Sequence, residues 1–141
     1  MRRIQWQKGI HPDSEKLRYD VFTLEQGFAE EEDVDEIDSW ADNLVIYEDD
    51  VAIATARLFP EGNGVFHVGR LCVRAAYRGQ SLGSEALRLC KERAISLGAT
   101  KLCLGAQFDK ADFYIKNGYH IADPNTFDDG GYPHYHMEMD L

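Results

Sequence analysis

Several features that would place a sequence in a common protein class are missing from this 141-residue chain. No stretch approaches the roughly 18 consecutive apolar residues of a membrane-spanning helix, and the N-terminal stretch MRRIQWQKGIHPD lacks the apolar segment of a signal peptide. The three cysteines, Cys72, Cys90 and Cys103, are odd in number and show no C-x-x-C spacing, which argues against a disulfide framework and a zinc ribbon. We expect a cytoplasmic protein without membrane contact, whose cysteines are small buried apolar residues.

Basic residues are scarce as well. The chain has 15 lysines and arginines against 25 aspartates and glutamates, a formal net charge of −10. Affinity for nucleic acid depends on a basic surface, so we expect no nucleic-acid partner, and cationic partners fit the overall charge better. One locally positive anion site is still compatible with this total.

The length and the even composition predict one compact domain over residues 1–141. RRIQWQ alternates as a strand does. A helix is predicted from Pro12 to near Gly27, with Leu17, Val21 and Leu24 along its apolar side. The next segment, Glu30 to Asp42, holds eight acidic residues and no basic one. The spacing of its apolar residues predicts a second short helix with a highly charged outer side. The apolar residues of this segment are Val34, Ile37 and Trp40.

The second half of the chain begins with three strand-like runs, NLVIY, VAIATARLF and VFHVGRLCV, joined by short turns. They predict an antiparallel meander. A helical pattern then runs from Leu82 to Leu97 with Gly98 at its C-cap, and a strand, TKLCLGA, follows it. The helix KADFYIKN, closed by Gly118, and the strand HYHMEM complete the chain. The predicted fold class is α/β, with a mixed, mostly antiparallel sheet of six to seven strands and helices on both faces.

The stretch YRGQSLG fits two incompatible kinds of site. As G-x-S-x-G it matches the nucleophile elbow of a serine hydrolase, because Ser81 lies between a predicted strand and a predicted helix, and candidate acids and histidines follow it. Two features argue against this hypothesis. Five residues, Arg74 to Arg78, separate the strand from the first glycine, and the preceding strands form a meander in place of parallel βαβ units.

The second hypothesis is an anion-binding turn. A glycine-containing turn that opens a helix presents unpaired backbone N–H groups at the positive end of the helix dipole. Arg78, and with it Arg74, would add charge-assisted hydrogen bonds. The stretch has no Lys-Ser/Thr after Gly83 and no G-x-G-x-x-G, so it is neither a P-loop nor a dinucleotide fingerprint. By itself the motif is weak, and an ordinary turn with a surface arginine remains an alternative.

Longer stretches carry a resemblance to a known family. LCVRAAYRGQSLGSEAL, LGAQ and DFYIKNGY resemble the central and tyrosine motifs of the GNAT superfamily of acetyl-CoA-dependent N-acyltransferases. VFTLEQGFAEEEDVDEID and FDDGGYPHYHM resemble the terminal signatures of its ElaA-like branch. The resemblance implies acetyl-CoA (coenzyme A) as cosubstrate, acetyl transfer to a primary amine of a small molecule or peptide, and a homodimer through the terminal strands. A non-catalytic acyl-CoA-binding sensor is the alternative.

The resemblance also assigns residues to the coenzyme. The family turn is Q/R-x-x-G-x-G/A, and Ser81 stands where glycine is most common; we expect the serine to be tolerated if its φ is negative. The strand before the turn is expected to separate from its neighbour and to expose backbone groups. The implied coenzyme-binding residues are Leu71, Cys72, Val73, Arg78, Gly79, Gln80, Ser81, Leu82, Gly83, Ser84 and, on the next strand, Gln107.

Two catalytic residues follow from the resemblance. Tyr114 matches the tyrosine that protonates the departing thiolate, a role that its ordinary pKa of about 10 allows at neutral pH. His134 matches a histidine of the ElaA-like signature and is a candidate base, a substrate contact or a structural hydrogen-bonding residue. His67 is a further candidate, and relatives carry a carboxylate at the position of Gly69.

Three smaller questions stay open. His134 and His136 share one strand face and could ligate a metal with Asp128 or Asp129, but no further ligand has a telling spacing, so no metal site is expected. The acidic segment is either an amine-attracting entrance to the acceptor site or a solvated face. Asn43 stands where relatives often carry histidine, which argues against an acceptor contact of that kind.

Overall fold

The structure is a computed structural model that describes residues 2–141, apart from the side chains of residues 31 and 32. It contains one eight-stranded sheet and four α-helices, with short 3₁₀ and π segments between them. The strands are β1 (Arg2–Lys8), β2 (Asp42–Glu48), β3 (Val51–Gly62), β4 (Val65–Val73), β5 (Lys101–Gln107), β6 (His120–Ile121), β7 (Phe127–Asp129) and β8 (Tyr132–Asp140). The helices are α1 (Pro12–Arg18), α2 (Glu30–Asp33), α3 (Leu82–Ser96) and α4 (Ala111–Lys116).

The strands follow the order β1-β2-β3-β4-β5-β8-β6, and β7 pairs with β8. All pairs are antiparallel except β4 and β5, which are parallel. The predicted meander and mixed sheet are therefore confirmed. The sheet has eight strands, whereas six to seven were predicted. The difference arises because β6 and β7 contain only two and three residues, which is too short for the sequence to show a strand period.

Helices cover both faces of the sheet, as predicted. The larger core lies between the sheet and α3, where Ala86, Cys90 and Ala94 are fully buried against the apolar side chains of the central strands. A smaller core lies on the opposite face, where Leu17 and Val21 pack on β2, β3 and β4. This second face is left uncovered over β5 and β8, and the candidate site lies there.

The predicted first helix changes type along its length. α1 ends at Arg18, and Tyr19–Glu25 continues as a π-helix that ends before Gly27, whose φ is +84°. The wider winding rotates the C-terminal part of the predicted apolar side away from the core, so Leu24 is 65% exposed. Placing Leu24 on the buried side was wrong.

The acidic segment differs most from its prediction. It forms two short helices, α2 and the 3₁₀ helix Glu36–Ser39, in place of one. Three of its carboxylates, Asp33, Asp35 and Asp38, also pair with buried arginines. Arg18, fully buried, makes two hydrogen bonds of 2.8 and 3.0 Å to Asp38 and one of 3.2 Å to Asp33. Arg57 makes bonds of 2.7 and 3.1 Å to Asp35. The segment is neither a simple solvated face nor a reservoir of unpaired negative charge.

All three cysteines are unpaired and buried, which confirms the prediction. Burial raises the pKa of the Cys72 and Cys90 thiols to about 12. Within residues 2–141, no helix is long and apolar enough to cross a membrane.

Candidate active site

The site begins where β4 and β5 separate. The two strands pair only at Val65–Lys101, Phe66–Leu102 and His67–Cys103. Beyond His67, β4 contains a bulge toward β3: two residues, Arg70 and Leu71, lie opposite the single residue Ala56. Arg70 has a φ of +51°, and a bulge of this kind bends its strand. The expected separation of the strand before the turn is therefore present, and it opens a cleft between β4 and β5.

One cavity lies on the α3 side of this cleft. Its wall includes most of the residues that the sequence assigns to the coenzyme, together with Glu25 and Phe113. Gln80 and Gln107 are the exceptions: the Gln80 side chain accepts a hydrogen bond from Arg2 instead. The predicted residues that line the cavity are Leu71, Cys72, Val73, Arg78, Gly79, Ser81, Leu82, Gly83 and Ser84.

The turn at the end of this cavity has free backbone donors. Among residues 2–141, no hydrogen-bond acceptor faces the amides from Gly79 to Ser84, and the first bond of α3 runs from the Glu85 N–H to the Ser81 carbonyl, at 3.0 Å. Gly79 has a φ of +82°. A run of unpaired amides with left-handed residues at a helix start forms a concave anion site.

Ser81 departs from its expectation. Its φ is +61°, so the condition of a negative φ is not met, and the serine occupies a left-handed conformation that glycine adopts at no cost. The side chain makes no capping bond and is exposed. Within the described residues Ser81 also has no hydrogen bond to a histidine, so the triad of a serine hydrolase is not assembled around it.

Gly83 is required for packing. A Cβ atom at this position would lie 2.9 Å from Cζ of Phe113, a distance at which one of the two must move. The absence of a side chain lets α3 begin directly against α4, which carries Phe113 and its neighbour Tyr114.

Both arginines of the turn are already paired. The guanidinium of Arg78 forms a two-bond ion pair with Glu25 of the π-helix and donates from Nε to the Val73 carbonyl at 3.0 Å. Arg74 contacts Asp20 at 3.3 Å. The ion pair with Arg78 lowers the pKa of Glu25. Arg78 and Arg74 therefore already have carboxylate partners, whereas the backbone amides of the turn are unpaired.

Tyr114 lies where this cavity meets a second one, and its side chain lines both. Its hydroxyl makes no hydrogen bond within residues 2–141. Burial raises the pKa of Tyr114 to about 12, and the nearby Cys72 thiol acts in the same direction. The hydroxyl therefore keeps its proton at neutral pH and is positioned to donate it into the junction of the two cavities.

The second cavity occupies the uncovered face between β4, β5 and β8. It has a volume of about 260 Å³ and shares Gln26, Leu71, Lys110 and Tyr114 with the first. Three histidines line it, and they come from two different strands: His67, His134 and His136.

His134 has the geometry of a base. Its Nδ1 lies 2.7 Å from the Tyr132 carbonyl oxygen, and because a carbonyl can only accept, Nδ1 must carry the proton. In the neutral ring this leaves the lone pair on Nε2, which has no partner among residues 2–141. Phe127 and Tyr132 flank the ring at 5.8 and 6.1 Å between centroids and fix its plane.

The sequence comparison decides the family once this geometry is known. The profile of the acetyltransferase (GNAT) family matches residues 4–119, which is most of the chain. The chain belongs to the GNAT family. A Bacillus subtilis protein named as the uncharacterized N-acetyltransferase YjcF is 29% identical over 128 residues, 91% of each chain.

Solved GNAT structures agree in fold. A proposed N-acetyltransferase of Lactobacillus plantarum superimposes with a TM-score of 0.90 at 29% identity, covering 99% of this chain and 98% of the other. Escherichia coli ElaA superimposes with a TM-score of 0.82 at 24% identity, covering 98% and 100%. The resemblance drawn from the sequence motifs is thus confirmed for the family, and the likeness to ElaA is shown at the level of the fold.

Gln107, which the resemblance assigns to the coenzyme, borders the second cavity and not the first. It donates to Gln26 at 2.9 Å, across the mouth of the cleft. His136 pairs with Glu138 at 3.2 Å. Asn43 is buried and donates to the Gly9 carbonyl at 2.9 Å, away from both cavities.

Several lining residues were not anticipated. Phe22 and Gln26 come from the π-helix region, Phe28 from the loop after it, Arg70 from the bulge and Phe127 from β7. Four of them lie in the stretches that resemble the ElaA-like terminal signatures: Phe22, Gln26 and Phe28 in VFTLEQGFAEEEDVDEID, and Phe127 in FDDGGYPHYHM. The signatures therefore indicated these regions, but a sequence pattern does not say which of their side chains face a cavity.

Proposed function

We propose that this GNAT protein transfers an acetyl group from acetyl-CoA to the primary amine of a small molecule or peptide. The observation that carries the proposal is the position of Tyr114, whose protonated hydroxyl lies at the junction of a cavity with an anion-binding turn and a cavity with a histidine base. The acetyl-CoA thioester supplies the acyl group at this junction.

The first cavity fits coenzyme A. The unpaired amides from Gly79 to Ser84 would hold its diphosphate, and the unpaired edge of β4 near Leu71 would hold the pantetheine arm. A fold relative from Elizabethkingia anophelis, with a TM-score of 0.71 at 14% identity, has acetyl-CoA bound and supports the choice of this cosubstrate.

The second cavity would take the amine. An amine is protonated in solution and attacks only after losing that proton, so a base must face it. His134 Nε2 would accept the proton, since Nδ1 is committed to the Tyr132 carbonyl. Asp33, Asp129, Arg70 and Lys110 also line the cavity, so its charged groups are balanced and the proposed preference for an amine depends on His134.

A backbone amide of the β4 edge would stabilise the negative charge that develops on the acetyl oxygen. One such donor contributes about 2.7–4 kcal/mol in comparable enzymes. Tyr114 would donate its proton to the departing sulfur. A thiol has an ordinary pKa of about 8.5, below that of the buried Tyr114, so full transfer of this proton to the thiolate is uphill. The hydroxyl would therefore act mainly by hydrogen bonding to the sulfur as the C–S bond breaks, and any phenolate formed would be re-protonated from solvent.

The volume of about 260 Å³ lies at the lower end of ligand cavities. This size favours a small amine, or the side chain or terminus of a peptide that stays largely outside.

The proposal is tested by thiol release from acetyl-CoA with a panel of primary amines, together with calorimetric binding of coenzyme A. Tyr114→Phe is expected to lower kcat by about 100-fold or more while coenzyme binding is kept, because loss of a general acid typically costs 10²–10⁴-fold. Phe113→Leu is the matched control, since it alters the adjacent ring and keeps the hydroxyl.

Two outcomes contradict the proposal in different ways. Tight coenzyme binding without thiol release for any amine identifies a sensor. Absence of coenzyme binding removes the assignment of the turn itself.

A further inference from the structure

Three side chains outside the proposed chemistry meet at the edge of the second cavity. Glu61 comes from β3, His67 from β4 and Cys103 from β5, and their ligand atoms all lie within 4.8 Å of one another. Within the described part of the chain this is the one group of three or more histidine, cysteine and carboxylate side chains so close together. Cys103 and His67 are direct neighbours in the parallel register of β4 and β5.

We propose that Glu61, His67 and Cys103 form a binding site for a divalent transition metal of the zinc class. The inference goes beyond acetyl transfer and does not depend on it. A sulfur, an imidazole nitrogen and a carboxylate oxygen are the donors that zinc prefers, and three protein ligands leave a fourth position for water.

The distances between the donor atoms fit this assignment. Sγ of Cys103 lies 3.5 Å from Nδ1 of His67 and 3.1 Å from Oε1 of Glu61, and Nδ1 lies 3.1 Å from Oε2 of Glu61. In a tetrahedral zinc site with Zn–S of about 2.3 Å and Zn–N or Zn–O of about 2.0–2.1 Å, the donor atoms are about 3.3–3.6 Å apart. Small side-chain shifts bring this triangle to the metal-bound geometry.

The groups are also held in place and reachable. His67 stacks on Phe59 with ring centroids 4.9 Å apart, and Cys103 is only 2% exposed on a central strand. Glu61 is more open, with 41% of its side chain exposed, so an ion can enter from solvent. Only Glu61, the most exposed of the three side chains, has to reorient to bind the ion.

The charge balance is simple. Zn²⁺ binds the Cys103 thiolate and the Glu61 carboxylate, which gives a neutral site, and the thiol proton is released to water. His67 ligates through Nδ1 and carries its proton on Nε2. Nearby charges are compensated among themselves: Glu138, opposite Cys103 on β8, contacts Lys101 at 3.4 Å and His136 at 3.2 Å.

The ring of His67 lines the second cavity, so a bound metal would fix this part of its wall. With Nδ1 on the metal and the proton on Nε2, His67 would have no lone pair for an amine. The proposed base, His134, would be unaffected, because it lies on β8 and bonds to a backbone carbonyl.

The test is cobalt substitution, since Co²⁺ reports on its ligands by absorption. Tag-free protein, reduced and freed of metal with a chelator, is titrated with Co²⁺ and then with Zn²⁺. We expect one equivalent of Co²⁺ to produce a thiolate-to-cobalt charge-transfer band and the visible bands of tetrahedral cobalt, and Zn²⁺ to abolish both.

The variants assign the band to this site. Cys103→Ala is expected to remove the band. Glu61→Gln changes a surface residue and leaves the core intact, and we expect it to weaken Co²⁺ binding by at least about 10-fold. Loss of a residue that only supports a metal ligand already costs about that much, and Glu61 would itself be a ligand. Cys90→Ala is the matched cysteine control and His120→Ala the matched histidine control; both should keep the band.

Two results would overturn the proposal. One is the absence of a charge-transfer band in the wild-type protein with Co²⁺ in excess. The other is a band that survives in Cys103→Ala, or an affinity for Co²⁺ that Glu61→Gln leaves unchanged. In either case the three side chains form a hydrogen-bonded cluster only.

Discussion

The two cavities that meet at Tyr114 are built in opposite ways. The proposed coenzyme cavity is formed largely by one stretch of the chain, from Leu71 to Ser84, and its candidate binding groups are unpaired backbone amides. The acceptor cavity is assembled from side chains of the π-helix region, β4, β5, β7 and β8. A site made of backbone tolerates changes in side chains, whereas a site made of converging side chains depends on each of them and on the contacts that support them.

The strongest way to sharpen this comparison is to remove the base of the acceptor cavity. His134→Gln is expected to lower kcat by about 10²–10⁴-fold, the usual contribution of a general base, and to leave the affinity for coenzyme A unchanged. Steady-state kinetics and calorimetry separate the two effects. His120→Gln, on an exposed strand, is the control; a loss below threefold in His134→Gln would assign the histidine a structural role.

The second-largest effect is expected from the buried ion pairs of Arg18, which support the wall of the proposed acceptor cavity. Arg18→Met removes the fully buried partner of Asp33 and Asp38, which keep their longer ion pairs with Arg70 and Arg57. Breaking a buried ion pair on one side costs about 3–5 kcal/mol of unfolding free energy, and we expect a loss toward the lower end of this range. Urea unfolding measures the loss. Arg88→Met, which breaks the exposed pair with Glu92, should cost less than about 0.5 kcal/mol. Equal effects would show that the ion network is not buried in solution.

The same network predicts an acid-sensitive stability. Burial raises the pKa of Asp38, but the hydrogen bonds and charge of Arg18 outweigh it and lower the pKa from 3.8 to about 2. Because the pKa of Asp38 is lower in the folded than in the unfolded protein, its ionised carboxylate stabilises the fold above about pH 4. This contribution, on the order of 2 kcal/mol, is lost as the pH falls from about 4 to about 2.

Chemical denaturation across this pH window measures the effect, and Asp38→Asn should flatten the dependence. A slope that is unchanged in Asp38→Asn would contradict the assignment.

Smaller effects are expected at the coenzyme turn, where the charges are paired. Glu25→Gln frees Arg78 and should strengthen coenzyme A binding by up to about fivefold, since an exposed ion pair is worth at most about 1 kcal/mol. Calorimetry at low and moderate salt tests this. If Glu25→Gln weakens binding, the glutamate positions Arg78 for the diphosphate and does not compete with it.

The smallest effect concerns Ser81. Ser81→Gly relieves the left-handed conformation and is expected to change the unfolding free energy by about 1 kcal/mol or less in the stabilising direction, because glycine also gains unfolded-state entropy. Gly79→Ser is the reverse control and should destabilise. A destabilised Ser81→Gly would mean that the serine makes a contact that outweighs its backbone strain.

The sequence predicted the strand meander, the central helix and the glycine-containing turn before it, because these depend on neighbours in the chain: period-two strands, turn residues and a helical repeat beginning at Leu82. It failed where distant residues decide. The acidic segment looked solvent-exposed until Arg18, Arg57 and Arg70 were seen to pair with it. Leu24 was misplaced because a π-helix has no recognisable period of its own.

Chain order by itself determined the family, the mixed sheet and the position of the glycine-containing turn that opens α3, since each depends on patterns of consecutive residues. Only the tertiary structure decided that Arg78 is already paired with Glu25, that Tyr114 joins two cavities, and that Glu61, His67 and Cys103 converge from three strands. The reason is physical: backbone conformation is set by local sterics and hydrogen bonding, whereas the meeting of side chains depends on strand register, which no short stretch of sequence contains.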